Sequence, residues 1–254
     1  MIKFFRNIRQ KTLNENKFGK YLTYAIGEII LVVIGILIAL SINNWNNNKQ
    51  LRSTEHVYLL SLQTEFKTNL KKINDCIIEN EARINSVEKM LTLFDVDVSD
   101  TTSDKTISDI MFSIFGGEAT YQPSKGVLTD IISSGNLNLI QNEHLRQSLA
   151  SFESTLVFLK LQENNIRSSK EKMQNLLNKN GSVRKVLIHR GINFEHPSIS
   201  DTANNKNLFS LIEFENELLN YYLTTKATNG PRFFGGIKEH IEQILVEIDA
   251  ELKK

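Results

Sequence analysis

Two hydrophobic patterns follow one another along the first hundred residues. From Leu22 to Ile42 the chain reads LTYAIGEIILVVIGILIALSI, 21 residues with a single charge, Glu28. Apolar residues fall on every side of a helix drawn through this stretch, which a helix buried in a water-soluble core rarely shows over such a length. At ~1.5 Å per residue it reaches ~30 Å, the thickness of a bilayer's hydrocarbon core. Further on the pattern changes. Leu62, Phe66, Leu70, Ile73, Ile77, Ile84, Val87, Leu91 and Phe94 advance by threes and fours, with a polar gap at Asn80-Glu81. That spacing predicts a helix with one apolar stripe, extending the first span outward and ending near Phe94.

Glycine and proline divide the remainder. Neither occurs from Ile36 to Phe115, from Asn136 to Asn180, or from Ser198 to Asn229. Long stretches without these breakers predict helices. The turn formers of Asp95–Lys105 (DVDVSDTTSDK) predict a solvated acidic loop. A short helix is expected over Ile107–Phe115, capped by Thr106, and another from a Ser124 cap through Ser133, closed by Gly135. Asn142 is the expected cap of a long helix over Glu143–Lys179, stopped by Gly181. Ser182–Asn205 reads as a loop in which Val186-Leu187-Ile188 form a short strand. The last stretches, Asn207–Thr225 and Pro231–Leu252, are two helices or one kinked helix, with proline tolerated at a helix start. The predicted fold class is all-α: an N-terminal transmembrane helix, then an elongated antiparallel bundle of three or four long helices.

Charge orients this scheme. Six basic residues (Lys3, Arg6, Arg9, Lys11, Lys17, Lys20) and one acid precede the apolar stretch. After it comes Asn43-Asn44-Trp45-Asn46-Asn47-Asn48, uncharged until Lys49. The positive-inside rule then places the N-terminus in the cytoplasm. Tyr21 and Tyr24 at one end and Trp45 at the other are the expected interfacial anchors. The long leader and the exit Ala39-Leu40-Ser41-Ile42, without a small-x-small pattern, favour an uncleaved anchor over a signal peptide. Ile2, Phe5, Ile8 and Leu13 fall near one face, which suits a helix lying on an anionic leaflet. The expected division is a basic cytoplasmic leader over 1–21, a transmembrane helix over 22–42 and an extracytoplasmic helical domain over 43–254. Beyond the span, acids exceed bases by three. No basic patch marks a nucleic-acid binder, and none is expected as partner.

The opening FFRNIRQKTL and the run YAIGEIILVVIGILIALSINNWNN resemble a family of uncharacterised bacterial single-pass membrane proteins, a domain of unknown function. Ser134-Gly135-Asn136-Leu137-Asn138-Leu139-Ile140 also resembles a feature of that family. The resemblance implies one anchor and a helical domain in the bacterial envelope, in the inner membrane with the C-terminal domain periplasmic. It brings no activity and no catalytic residue.

Candidate chemistry is sparse. Glu28 lies about one turn inside the cytoplasmic boundary, where it snorkels, pairs with Lys20 or a lipid head group, or meets a polar group on another helix. Gly27, Gly35 and Ala39 make a small-residue stripe through which two spans would approach closely. The lone Cys76, between Ile73 and Ile77, reads as a buried inert thiol, or as a link to a second copy. None of His56, His144, His189, His196 and His240 has helical zinc spacing, though His189 and His196 share a loop with Glu195. Asp95, Asp97, Asp100 and Asp104 lack the glycine and closing glutamate of a calcium loop. No catalytic, cofactor-binding or metal residues are expected, and so no cofactor. The expected partners are the lipid bilayer and either a second copy or another membrane protein. This favours a non-enzymatic scaffold or interaction module, with an extracytoplasmic ligand-sensing accessory subunit as the alternative and an envelope enzyme last.

Overall fold

The computed structural model describes residues 18–199 and 202–254, with the backbone only at Phe18, Lys20 and Tyr21. The expected leader over residues 1–17, with its surface helix, lies outside the described residues. No strand occurs among those described. The helices are α1 (Phe18–Leu91), α2 (Val96–Thr101), α3 (Asp104–Phe115), α4 (Gly126–Ser133), α5 (Glu143–Asn180), α6 (Val183–His189), α7 (Ile212–Thr228) and α8 (Phe234–Glu251). Short 3₁₀ turns lie at Thr92–Phe94, Asn136–Leu139 and Asn205–Ser210. The chain forms two compact units that divide between Val57 and Tyr58.

The first unit holds the apolar part of α1. Its most apolar 18-residue window has a mean hydropathy of 2.8, and none of it is buried inside the protein. By length and composition this is one helix able to cross a membrane.

The second unit buries two hydrophobic clusters. One gathers Leu62, Phe66 and Ile73 of α1, Leu149 and Phe152 of α5, and Phe234, Ile241 and Ile248 of α8. Phe66 and Phe152 meet edge to face at 5.1 Å between ring centroids. The other gathers Val87 and Met90 of α1, Met111 of α3, Met173 of α5, and Phe214 and Tyr221 of α7. Both α1 and α5 pass from the first cluster to the second in chain order, so they run parallel. The row formed by α7 and then α8 runs against them both.

A polar layer separates the clusters. Asn80 is buried there, donating to Thr225 O at 2.9 Å and Asn229 Oδ1 at 2.8 Å. From α5, Gln162 donates to Thr224 O at 3.0 Å and Thr228 Oγ1 at 3.1 Å. In the polar gap of the α1 stripe, Asn80 therefore belongs to a buried layer, while Glu81 is exposed. The layer's amides satisfy the backbone where α7 ends and the chain turns through Asn229–Phe233. The last two helical stretches are accordingly two helices.

Parallel α1 and α5 need a long return connection, and residues 116–125 supply part of it. This irregular segment lies along one row of α1. Cys76 Sγ donates to Thr120 O at 3.5 Å, and Lys72 Nζ to Gln122 O at 3.1 Å. Asn69 holds both backbone groups of Ser124, accepting from N at 2.7 Å and donating to O at 2.8 Å. Glu65 then accepts from Val127 N at 2.8 Å and Leu128 N at 3.0 Å, satisfying the open N–H groups of α4. Residues 65, 69, 72 and 76 are spaced by fours and threes, so they share one helix face. Ser124 is thus not the cap of α4; a carboxylate from another helix does that work.

Three local expectations need correcting. The acidic stretch is not simply a loop. Asp95 Oδ1 accepts from Asp97 N at 3.0 Å and starts α2, and Ser103, not Thr106, caps α3 by accepting from Thr106 N at 3.1 Å. Turn formers also serve as N-caps, and composition alone does not separate the roles. Val186-Leu187-Ile188 lie in helix α6, not a strand, because Ser182 caps it and Val186 turns into the second cluster. Asn142 caps α5 as expected, accepting from Leu145 N at 3.1 Å. Gly135 closes α4 at φ 73°, a left-handed conformation that glycine adopts without strain.

Candidate functional site

The residues singled out on the apolar stretch all lie on α1. Tyr24, Glu28, Gly35, Ala39 and Trp45 are exposed and Gly27 is half-buried. A Cβ built on Gly27 or Gly35 meets nothing within 4 Å. Gly35 and Ala39, four apart, share a face, whereas the eight-residue step from Gly27 turns about 80° round the helix. Lys49 Nζ sits 5.5 Å from the centroid of the Trp45 ring. The side chain of Tyr21 lies outside the described residues.

The second unit carries its own candidates. Cys76 is buried in the first cluster, and burial, aided by the neighbouring carboxylates Glu79, Glu163 and Asp75, pushes its thiol up to about 11. A thiol held protonated is a poor nucleophile and metal ligand. His189 Nδ1 lies 2.8 Å from Ser108 Oγ, but Ser108 is buried and the adjoining space is about 10 Å³, room for at most one water. His196 packs against the Phe194 ring, 6.2 Å between centroids. Among the described residues no group of three His, Cys, Asp or Glu side chains is disposed to hold a metal.

Two features escape the sequence reading. On the outer side of α5, Val157, Phe158 and Leu161 are 61%, 56% and 57% exposed. Large side chains so placed form an apolar patch on a helix whose opposite face is core. The other feature is an open cleft of about 390 Å³ where α3, α5 and α6 meet. One wall is Met111, Phe112, Phe115, Val186 and Leu187; the other, on α5, is Glu171, Gln174, Asn175 and Asn178 with Leu177 at its base. Those four polar residues are three, four and seven apart, so they line one helix face. The pattern itself was readable, but which neighbours it faced was not.

Charges around the cleft are mostly paired. Arg167 donates to Glu118 Oε2 through Nε at 3.2 Å and Nη2 at 3.0 Å, and Lys170 lies 3.3 Å from Glu118 Oε1. Burial alone would raise the Glu118 carboxyl, but the Arg167 hydrogen bond and Lys170 outweigh it and hold it below its ordinary value. Lys170 also donates to Gly117 O at 3.0 Å, fixing the turn after α3. Arg190 stacks 4.5 Å from the Phe112 centroid and pairs with Asp109 at 3.3 Å.

Comparison with known proteins adds one finding. The sequence pattern of a family described as "Family of unknown function (DUF6090)" matches residues 28–217. No curated protein and no solved structure matches the chain.

Proposed function

This chain belongs to that family of unknown function, and from there we propose that it is a membrane-anchored envelope protein that binds other proteins and catalyses no reaction. In this reading residues 22–42 span the bacterial inner membrane, the basic leader stays in the cytoplasm, and the helical domain works in the periplasm. Tyr21, Tyr24 and Trp45 anchor the span at its two interfaces. Gly35-Ala39, with Gly27, and the carboxylate of Glu28 are the surfaces offered to a second span. The excess of acids beyond the span supports a partner other than nucleic acid.

The observation that carries the proposal is the Val157-Phe158-Leu161 patch. These three apolar side chains lie together on one helix face outside both cores, which suits a contact surface. A photoreactive residue at Val157 in the full-length chain, irradiated in its native membrane, should give a discrete cross-linked product. Absence of any product at Val157, with cross-linking equal to that of a polar position such as Ser168, would sink the reading. A phosphatase reporter after Lys254 should be active only outside the cytoplasm; an inactive fusion reverses the orientation.

The cleft between α3, α5 and α6 favours a second reading, a ligand-sensing accessory subunit that signals through a membrane partner. Glu28→Leu should then reduce co-purification of that partner from mild detergent.

A further inference from the structure

We propose that the cleft between α3, α5 and α6 is a binding site for a small aromatic amine. The cleft's volume of about 390 Å³ falls within the range of small-molecule sites. Its apolar wall is made of Phe112, Phe115 and Met111 with Val186 and Leu187, groups that pack well on an aromatic ring. Its polar wall offers the carbonyl oxygens of Gln174, Asn175 and Asn178, which accept from the three donors of an ammonium group. Glu171 supplies the charge. Its carboxylate lies in the field of Arg167, but that guanidinium is bound to Glu118.

Several other bases of α5 and α6 are also engaged. Lys170 is held by Glu118, Lys172 lies 3.9 Å from Glu217, and Arg190 pairs with Asp109. Glu171 is the one charged residue of the lining, so the cleft repels anions and attracts a cation. The asymmetry of the two walls sets the pose: the ring lies against α3 and α6, and the ammonium lies against α5.

This site deepens the sensing reading but stands on the cleft alone. The chain has four methionines, and among the described residues only Met111 lines the cleft. The full-length chain, labelled with carbon-13 at the methionine methyls and held in lipid nanodiscs, is titrated with phenethylamine and, separately, with phenylacetate. The Met111 methyl should shift and saturate with the amine, and bind the carboxylate several-fold more weakly. Glu171→Gln should weaken the amine about two- to fivefold, the size expected of a partly exposed ion pair, and leave phenylacetate no weaker. Leu187→Trp, which fills the cleft, should abolish the shift.

A Met111 methyl that does not respond to the amine overturns the proposal. So does equal binding of both probes that Glu171→Gln leaves unchanged. Should Leu187→Trp unfold the chain, Asn175→Trp fills the cleft from its exposed wall, and a shift that persists there also overturns it. Binding of the amine with no effect on partner co-purification keeps the site and removes the sensing reading.

Discussion

The apolar residues of α1 are used in two opposite ways within one helix. Between Leu22 and Ile42 they point in every direction and are exposed, as at Ile29, Val32 and Leu37. Beyond Tyr58 most of them keep to one stripe, with Leu60 and Ile78 outside it, and Leu62, Phe66, Ile73 and Val87 are fully buried. The difference lies in the angular distribution of side chains rather than their number. A ring of apolar residues cannot be covered by neighbours on one side, so it suits an apolar solvent. A stripe can be covered by α5, α7 and α8, so it suits water on the other side.

Substitutions on the two stretches should therefore behave differently. The largest effect is expected from Phe66→Ala, which removes a ring packed against Phe152 and should cost about 3–5 kcal/mol in denaturant unfolding of the second unit. Ile34→Ala should leave that unfolding unchanged. Equal losses would mean that the apolar stretch is part of the domain's core. Next, Val33→Arg should cost about 2.5–3.5 kcal/mol of membrane insertion and increase the fraction of chain released by alkaline extraction. Unaltered extraction would remove the membrane reading of residues 22–42.

The polar positions contrast in the same manner. Asn80→Ala strips the donor from Thr225 O and Asn229 Oδ1 in the buried layer, and should cost about 1–3 kcal/mol. Asn44→Ala, on the exposed stretch, should stay within about 0.5 kcal/mol. Asn142→Ala removes the cap of α5 and should lower stability by about 1 kcal/mol, read from the thermal midpoint.

The smallest effect concerns pH. Burial holds His240 below its ordinary 6.5, although a backbone hydrogen bond at Ser148 and the charge of Glu247 work the other way. The unfolded chain then takes up the proton first as pH falls. The stability His240 contributes is complete above 6.5 and is lost as pH drops from there through the lower folded value. The melting temperature of His240→Gln should fall less between pH 8 and pH 5 than that of the parent; parallel curves would exclude His240 as a contributor.

Much of the fold could be read from residue order. The α1 stripe, the Asn142 cap and the Gly135 stop depend on contacts within a few residues, and each is where the local rule puts it. At Asp95 and Ser103 the local rule is ambiguous between turn and cap; elsewhere the expectation fails where a residue's partner lies far along the chain. Ser124 resembles a cap, but Asn69 takes both its backbone groups and Glu65 caps α4 across 62 and 63 residues. Val186-Leu187-Ile188 resemble a strand, since three branched apolar residues carry no helical period of their own. The candidate sites divide likewise: Glu28 and Gly35 stand out by composition, whereas the cleft exists only because three helices converge.

By itself the sequence determined which long stretches are helical, where the apolar ring gives way to an apolar stripe, and where the charge excess lies. These follow from 3.6-residue periodicity and from the cost of placing apolar or charged groups in the wrong solvent. Only the tertiary structure decided that α1 and α5 run parallel, that Asn80 and Gln162 close a buried layer, and that the Val157 patch and the Glu171 cleft face outward. Those outcomes depend on pairing between residues tens of positions apart. A helical pattern states which face is apolar, but not which helix will cover it.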